Sequence, residues 1–188
     1  MTVFITGFPG FLGRALLPRI LARTGGDAVC LVQPKFSDVA TRAVQELVAS
    51  EPELDGRIRL LEGDITRPGL DLAGDIDLPD VTEAWHLAAV YDLAVARDLA
   101  MRVNVDGTRN VLDFLARWPD LDRLHYFSTC YVSGRFPGRF ARATWSAPAP
   151  STTSTRRPNT SPSERYAVAW PAASRPRSID RRSSSATA

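Results

Sequence analysis

Three glycines near the start of the chain are spaced as in a phosphate-binding turn. Gly7, Gly10 and Gly13 follow a β-branched apolar run, TVFIT at residues 2–6, and precede apolar residues at helical spacing. In such a turn the first glycine permits a tight bend, the second lets a pyrophosphate approach the backbone at a helix N-terminus, and the third allows close helix–strand packing. This context favours a dinucleotide site over a glycine-rich turn without a ligand.

Further motifs accompany the glycines and together point to a family. They are TGFPGFLG at 6–13, GDI at 63–65, HLAA at 86–89, NVDGT at 104–108 and ST at 128–129. This set resembles the extended short-chain dehydrogenase/reductase superfamily, the NAD-dependent epimerase/dehydratase-like proteins. Within it, FLG, HLAAVYD and STCYVSG most resemble the thioester and fatty-acyl reductase branch, with its male-sterility-type NAD-binding domain. The resemblance runs from about residue 2 to residue 138.

The resemblance implies roles for residues beyond the glycines. Asp64 would accept a hydrogen bond from the adenine amino group, with the Ile65 backbone beside it, unless Asp64 is an ordinary turn residue at a strand end. Ala88 and Ala89 would let the cofactor ribose lie against the fourth strand, where larger side chains would collide. Asn104 would bend its helix and support a water relay, or would be a solvated helix residue.

The end of the second strand predicts the choice of cofactor. NAD sites place an acidic residue there for the ribose 2′-hydroxyl, whereas NADP sites use basic groups. Here Gln33 is followed by Lys35, the only lysine of the chain, and no acid occurs before Asp38. Lys35 and Arg14 would face a 2′-phosphate, unless each is an exposed charge, so NADP is favoured and NAD stays open. The predicted cofactor-binding residues are Thr6, Gly7, Phe8, Gly10, Phe11, Leu12, Gly13, Arg14, Gln33, Lys35, Asp64, Ile65, Ala88, Ala89 and Asn104, and no metal site is predicted.

The acid–base pair of the superfamily is missing from the sequence. The resemblance implies a Ser or Thr that polarises the substrate carbonyl, here Thr129, and a Tyr four residues before a Lys that supplies the proton. The lysine would lower the pKa of that tyrosine. No lysine follows Lys35, and Tyr166 has Trp170 at the required offset. We therefore predict that the chain as written has lost most of its family's activity, which leaves open whether it is an enzyme.

The composition changes where this pair should lie. Residues 1–134 carry 13 Lys and Arg against 19 Asp and Glu, whereas residues 135–188 carry 10 Arg against 2 acids. Ala, Ser, Thr and Pro form 32 of the 48 residues from 141 to 188, a composition that favours disorder. One hypothesis is a shifted reading frame, because codons overlapping Ser154/Thr155 and Pro158/Asn159 permit Tyr and Lys four codons apart. The alternative is a genuine disordered tail.

The elements that would position these residues alternate along the chain. Apolar patterns predict strands at 2–6, 28–33, 57–61, 83–89 and 123–129, and helices after the glycines, at 36–50 and at 97–118. This alternation indicates right-handed βαβ units. The predicted fold is an α/β, Rossmann-like doubly wound parallel sheet of about five strands, truncated. Residues 1–138 would form the NAD(P)-binding domain, and residues 139–188 a disordered tail rich in Arg, Ser, Pro and Ala.

Composition also narrows the setting of the protein. Cys30 and Cys130 lie in apolar runs without metal-type spacing, as expected of buried residues in a reducing compartment. The N-terminus does not read as a signal peptide, and no apolar run approaches the length of a membrane span. We therefore expect a cytoplasmic protein. The resemblance implies a small-molecule substrate, and an exposed sheet edge after the fifth strand would favour self-association. The arginine pairs of the tail lack interleaved aromatic residues, so no nucleic-acid partner is expected.

The favoured function is an NAD(P)-dependent oxidoreductase that reduces a carbonyl or acyl thioester by hydride transfer. A nucleotide-sugar epimerase or dehydratase would use the same cofactor site and stays open as an alternative. A non-catalytic nucleotide-binding module would bind the cofactor without turnover.

Overall fold

The computed structural model describes residues 1–72, 78, 81–92 and 94–128. Within these ranges the chain alternates between strands and helices, as the sequence predicts. The strands are β1 (Thr2–Thr6), β2 (Asp27–Val32), β3 (Ile58–Glu62), β4 (Val81–His86) and β5 (Arg123–Tyr126). The helices are α1 (Phe11–Thr24), α2 (Ser37–Ser50), α3 (Arg97–Met101) and α4 (Thr108–Leu115), and a π-helical segment, Arg102–Gly107, joins the last two.

The five strands form one sheet in the order β3-β2-β1-β4-β5. Every pair is parallel, which confirms the predicted α/β, doubly wound arrangement. The chain builds outward from β1 to β3 and then returns to the other side of β1 for β4. The order therefore reverses between β1 and β4, the position at which open parallel sheets bind ligands.

Alternation along the strands divides the core between the two faces of the sheet. Val3 and Ile5 belong to one buried cluster with side chains of α1 and α2, whereas Phe4 belongs to a second cluster with side chains of α4. Because both faces are covered, the central strands are apolar at nearly every position, and β1 is buried from end to end. Cys30 lies in the first cluster, and burial raises the pKa of its thiol to about 12.

Three predicted elements differ from the observed ones by more than one residue at an end, and the others differ by one residue at most. The strand predicted at 83–89 runs from Val81 to His86, because its partner β1 ends at Thr6 and the next residue, Gly7, turns with φ +90°. Ala88 and Ala89 therefore lie beyond the strand, not in it. The helix predicted at 97–118 ends at Leu115 and contains the π-helical segment. The strand predicted at 123–129 ends at Tyr126.

Several predictions concern residues outside the described ranges. These are the catalytic role of Thr129, the burial of Cys130, the domain boundary at residue 138 and the disordered tail at 139–188. They stay predictions.

Candidate nucleotide-binding site

The carboxyl ends of four neighbouring strands carry most of the predicted site residues. Gly7 follows β1, Gln33 follows β2, and Ala88 lies two residues beyond β4. Asp64 lies two residues beyond β3. Because the strands are parallel, these ends meet at one edge of the sheet, next to the point where the strand order reverses.

The three glycine positions of the turn after β1 have no room for side chains. Gly7 has φ +90°, and a Cβ there would lie 2.7 Å from the backbone nitrogen of Ala88. The Gly10 N–H donates to the Gly7 carbonyl at 2.9 Å, and a Cβ on Gly10 would lie 2.8 Å from that same oxygen. A Cβ on Gly13 would lie 3.0 Å from the Phe8 Cα, so this glycine lets α1 pack against the turn. The middle glycine is therefore required by the turn itself, in addition to any ligand.

The start of α1 is suited to bind a pyrophosphate. Gly10 is the N-cap and makes no side-chain capping hydrogen bond, and the first turn has no acidic residue. Unbonded N–H groups and the helix dipole then favour an anion at this end. The narrow glycine turn and the uncapped helix together fit a dinucleotide phosphate group.

Neighbouring residues of the turn have different surroundings. The Phe8 side chain is only 3% exposed and packs in the core, so Phe8 can offer a ligand only its backbone. Phe11 is 86% exposed at the start of α1. Leu12 is partly exposed beside it. Arg14, predicted to face a 2′-phosphate, is paired with Glu46 of α2.

Asp64 and Gln33 meet at the ends of β3 and β2. The Thr66 N–H donates to Asp64 Oδ1 at 2.8 Å, which makes a local turn. Burial alone would raise the pKa of Asp64, but hydrogen bonds from Thr66 and Gln33, with the Arg67 charge, hold that pKa below its ordinary value. The carboxylate is therefore ionised and available as an acceptor at this edge.

Lys35 and Ile65 follow Gln33 and Asp64 in the sequence. Lys35 stands in the turn after β2 with its Nζ 4.9 Å from the centre of the Phe36 ring. The Ile65 side chain is buried, and the Ile65 backbone carbonyl accepts a hydrogen bond from Asn110 Nδ2 at 2.7 Å.

Asn104 lies in the π-helical segment and binds the chain beyond β4. Its Oδ1 accepts the Val90 N–H at 2.8 Å, and its Nδ2 donates to the Val90 carbonyl at 3.0 Å. The side chain therefore fixes the backbone that continues from Ala88 and Ala89. Asn104 was predicted to bend the helix, and the π-helical winding around it departs from a regular α-helix.

A buried histidine that was not predicted as a site residue joins these parts. His86 Nδ1 lies 2.6 Å from Thr6 Oγ1, and His86 Nε2 lies 2.9 Å from Thr108 Oγ1. Thr6 Oγ1 also accepts the Ala88 N–H at 3.3 Å, and the Thr108 hydroxyl donates to the Asn104 carbonyl at 3.0 Å. Burial lowers the pKa of His86 from 6.5 to about 4, so the ring is neutral near pH 7.

Sequence signals for His86 and Thr108 exist but are weak. His86 is a polar residue within the apolar run AWHLAA, and Thr108 occupies the apolar face of its helix together with Val105 and Val111. Polar residues at buried positions need partners. The partners lie 80 and 22 residues away in the sequence, so they become evident only once the strands are aligned.

Two further features of the described residues concern metal ions and membranes. In the ranges that the structure describes, no cluster of His, Cys, Asp or Glu is arranged to bind a metal ion. None of the helices in those ranges is long and apolar enough to cross a membrane.

Comparisons with known proteins agree with this geometry. Residues 5–173 match the family described as male sterility protein, an NAD-binding domain. The chain is 34% identical over 140 residues to D-erythronate dehydrogenase of Cupriavidus necator, covering 71% of the chain and 40% of that protein. It is 24% identical over 146 residues to the fatty acyl-CoA reductase wat of Drosophila melanogaster, covering 69% of the chain and 28% of that protein.

A solved structure shares the fold. It is a thiolation-reductase di-domain from an archaeal non-ribosomal peptide synthetase, with a TM-score of 0.59 and 28% identity over 72% of this chain and 37% of that one. The chain thus spans well under half the length of these three proteins. The glycine turn, the strand order and the family match lead to one conclusion: this chain belongs to the male sterility protein family, in the fatty-acyl reductase branch of the extended short-chain dehydrogenase/reductase superfamily.

Proposed function

We propose that this chain is the cofactor-binding part of an NADP-dependent reductase that acts on an acyl thioester or a related carbonyl compound. The observation that carries the proposal is the edge of the sheet at β1 and β4. There a turn with no room for side chains at its three glycines leads into an uncapped helix N-terminus. That edge would bind the cofactor pyrophosphate.

The described residues would divide the cofactor between them. The N–H groups at the start of α1 would bind the pyrophosphate, and Asp64 would accept a hydrogen bond from the adenine amino group. Ala88 and Ala89 would lie along the nicotinamide ribose, where their small side chains leave space. Bound nicotinamide supplies the hydride, and Thr129 would donate a hydrogen bond to the substrate carbonyl oxygen.

Lys35 supports the choice of NADP. It follows the strand end where NAD-dependent proteins place an acidic residue, and its ammonium group is exposed. Arg14 would contribute only by leaving Glu46, its partner in the structure. Lys35 is therefore the stronger candidate for a 2′-phosphate contact.

The nature of the relatives supports the substrate class. A fatty acyl-CoA reductase and a reductase joined to a thiolation domain are both named for thioester chemistry. D-erythronate dehydrogenase is named for a hydroxy acid, and it favours a second candidate, oxidation of a sugar acid with the same cofactor. Cys30, a free and buried thiol, supports a reducing compartment such as the cytoplasm.

Calorimetric titration of the full chain with NADPH, and separately with NADH, tests the cofactor assignment. Lys35→Ala should weaken NADPH binding about tenfold or more, because a hydrogen bond to a charged group contributes about 1.5 to 3 kcal/mol, and it should leave NADH binding unchanged. Arg123→Ala is the matched control, because Arg123 begins β5 at the opposite edge of the sheet and is exposed. Failure to bind either cofactor would contradict the proposal, and a preference for NADH would contradict the NADP assignment.

A further inference from the structure

We propose that His86 is a positioning residue of the cofactor site, holding the glycine turn, the backbone after β4 and the π-helical segment in one arrangement through Thr6 and Thr108. This inference rests on the proposed function, because it names the residue on which the shape of that site depends. His86 is the last residue of β4 and is 2% exposed.

The hydrogen bonds around His86 run in a single direction. Thr108 uses its only proton to donate to the Asn104 carbonyl, so it must accept from His86, and Nε2 therefore carries the proton. A neutral ring protonated at Nε2 has an acceptor at Nδ1, which receives the Thr6 hydroxyl proton. Thr6 in turn accepts the Ala88 N–H. Each donor has one acceptor, and the order works for only one tautomer.

The linked groups belong to three different elements of the site. Thr6 immediately precedes Gly7, the residue whose turn approaches Ala88 most closely. Asn104, whose carbonyl ends the chain of hydrogen bonds, holds Val90 through its side chain. The backbone after β4 is thus fixed at Ala88 by Thr6 and at Val90 by Asn104, and His86 connects the two attachments.

A charged ring would not fit this arrangement. Thr6 and Thr108 contact the two imidazole nitrogens, and the Tyr126 ring stacks with its centroid 5.5 Å from that of the imidazole; none of these three side chains is a carboxylate. Protonation at Nδ1 would place a second N–H against Thr6, which already receives the Ala88 N–H, and would displace the Thr6 hydroxyl proton. The neutral form is therefore the one that positions the site.

Four variants separate this role from a general effect on folding. His86→Gln keeps one donor and one acceptor without an ionisable ring, whereas His86→Phe keeps the ring and removes both. Thr108→Val removes one hydroxyl without changing size. Thr41→Val is its matched control, because Thr41 of α2 makes the same bond to the carbonyl four residues earlier but is exposed and outside the network.

The affinity for NADP+ by calorimetry is the first measurement. His86→Phe and Thr108→Val should weaken NADP+ binding about tenfold or more, because the loss of their hydrogen bonds would misplace the groups that touch the ligand. His86→Gln should stay within about threefold of the unmodified chain, since it restores both hydrogen bonds. Thr41→Val should leave affinity unchanged. If the unmodified chain binds NADP+ and Thr108→Val binds equally well, the inference is wrong while the proposed function stands.

Two measurements do not depend on binding. Imidazole nitrogen shifts should show His86 protonated at Nε2, and the chain has only two histidines, so His125→Gln assigns the signals. Amide exchange at Ala88 and Val90 should accelerate in Thr108→Val and not in Thr41→Val. A neutral ring protonated at Nδ1, or equal amide exchange in both variants, would overturn the inference whether or not the chain binds a cofactor. Failure to bind any cofactor would overturn the proposed function, which is a separate result.

Discussion

Lowering the pH from 7.5 to 5 should destabilise the fold through His86. In the folded chain burial holds the pKa of His86 at about 4, against 6.5 for an ordinary histidine. Between these values the unfolded chain binds a proton that the folded chain does not, so the free energy of unfolding rises with pH. The contribution is complete above pH 6.5 and is lost as the pH falls towards 4.

The size of this effect follows from the two pKa values. At pH 5 the unfolded imidazole is almost fully protonated and the folded one is mostly neutral, which corresponds to a loss of about 2 kcal/mol relative to pH 7.5. Near pH 4 and below, the loss would approach about 3 kcal/mol. Either value is a large share of the total stability of a small domain, about 5 to 15 kcal/mol.

Urea denaturation followed by circular dichroism at pH 7.5 and pH 5, at constant ionic strength, measures this difference. His86→Gln should lose about 2 kcal/mol less than the unmodified chain over this interval, because its amide does not titrate. The pKa values of Asp64 and Glu83 lie below their ordinary 3.8 and 4.5, so these groups act mainly below pH 5. The reasoning is refuted if His86→Gln keeps the full pH dependence, or if His125→Gln removes it.

Three further predictions concern the turn, the core and the sheet edge. Gly7→Ala should abolish cofactor binding and cost more stability than Gly25→Ala, because both glycines have positive φ but only Gly7 lacks space for a Cβ. The control, Gly25→Ala, should cost about 1 kcal/mol and leave cofactor binding intact. Equal effects of the two variants in calorimetry and in urea denaturation would contradict this. Glu83→Gln should cost about 2 kcal/mol in urea denaturation, since it removes the charge of a buried carboxylate whose two oxygens both accept from Nη2 of the half-exposed Arg23. Glu46→Gln, at an exposed pair, should cost less than about 0.5 kcal/mol. Sedimentation velocity should show mass rising with concentration, because β5 is the outermost strand on its side in the described part of the chain; a constant monomer mass would exclude association.

The fold could be predicted because its signals are local. Apolar strands and amphipathic helices alternate, and only a parallel sheet covered on both faces buries all of them. The residues at which elements end are harder to predict from the sequence, as β4 shows. Leu87, Ala88 and Ala89 continue its apolar run, yet pairing stops where Gly7 turns away from the sheet. That limit belongs to the neighbouring strand and cannot be read from β4 alone.

The candidate site was predicted in part for the same reason. Glycines and strand-end residues have fixed places in a parallel sheet, so Gly7 and Asp64 could be placed at its carboxyl edge from pattern alone. The directions of side chains could not. Phe8 packs into the buried cluster that also holds side chains of α1 and α2, and Arg14 pairs with Glu46 of α2; both contacts join segments that are distant in the sequence. The His86 network depends on the register between distant segments, and its only trace in the sequence is three polar residues at buried positions, Thr6, His86 and Thr108.

Under the proposed function, the described residues would form the cofactor half of a reductase site, and the acid–base half would follow residue 128. Binding and turnover should therefore separate in this chain: NADPH should bind, but no acyl thioester should be reduced, because no tyrosine has a lysine four residues later. Resequencing the coding DNA from codon 135 and translating all three frames tests the cause. An open shifted frame that encodes Tyr and Lys four codons apart would establish a frameshift, and its product should reduce an acyl thioester. Confirmation of the written frame would instead leave a nucleotide-binding protein with a genuine Arg-rich tail, and turnover by the chain as written would contradict the assigned role of the missing pair.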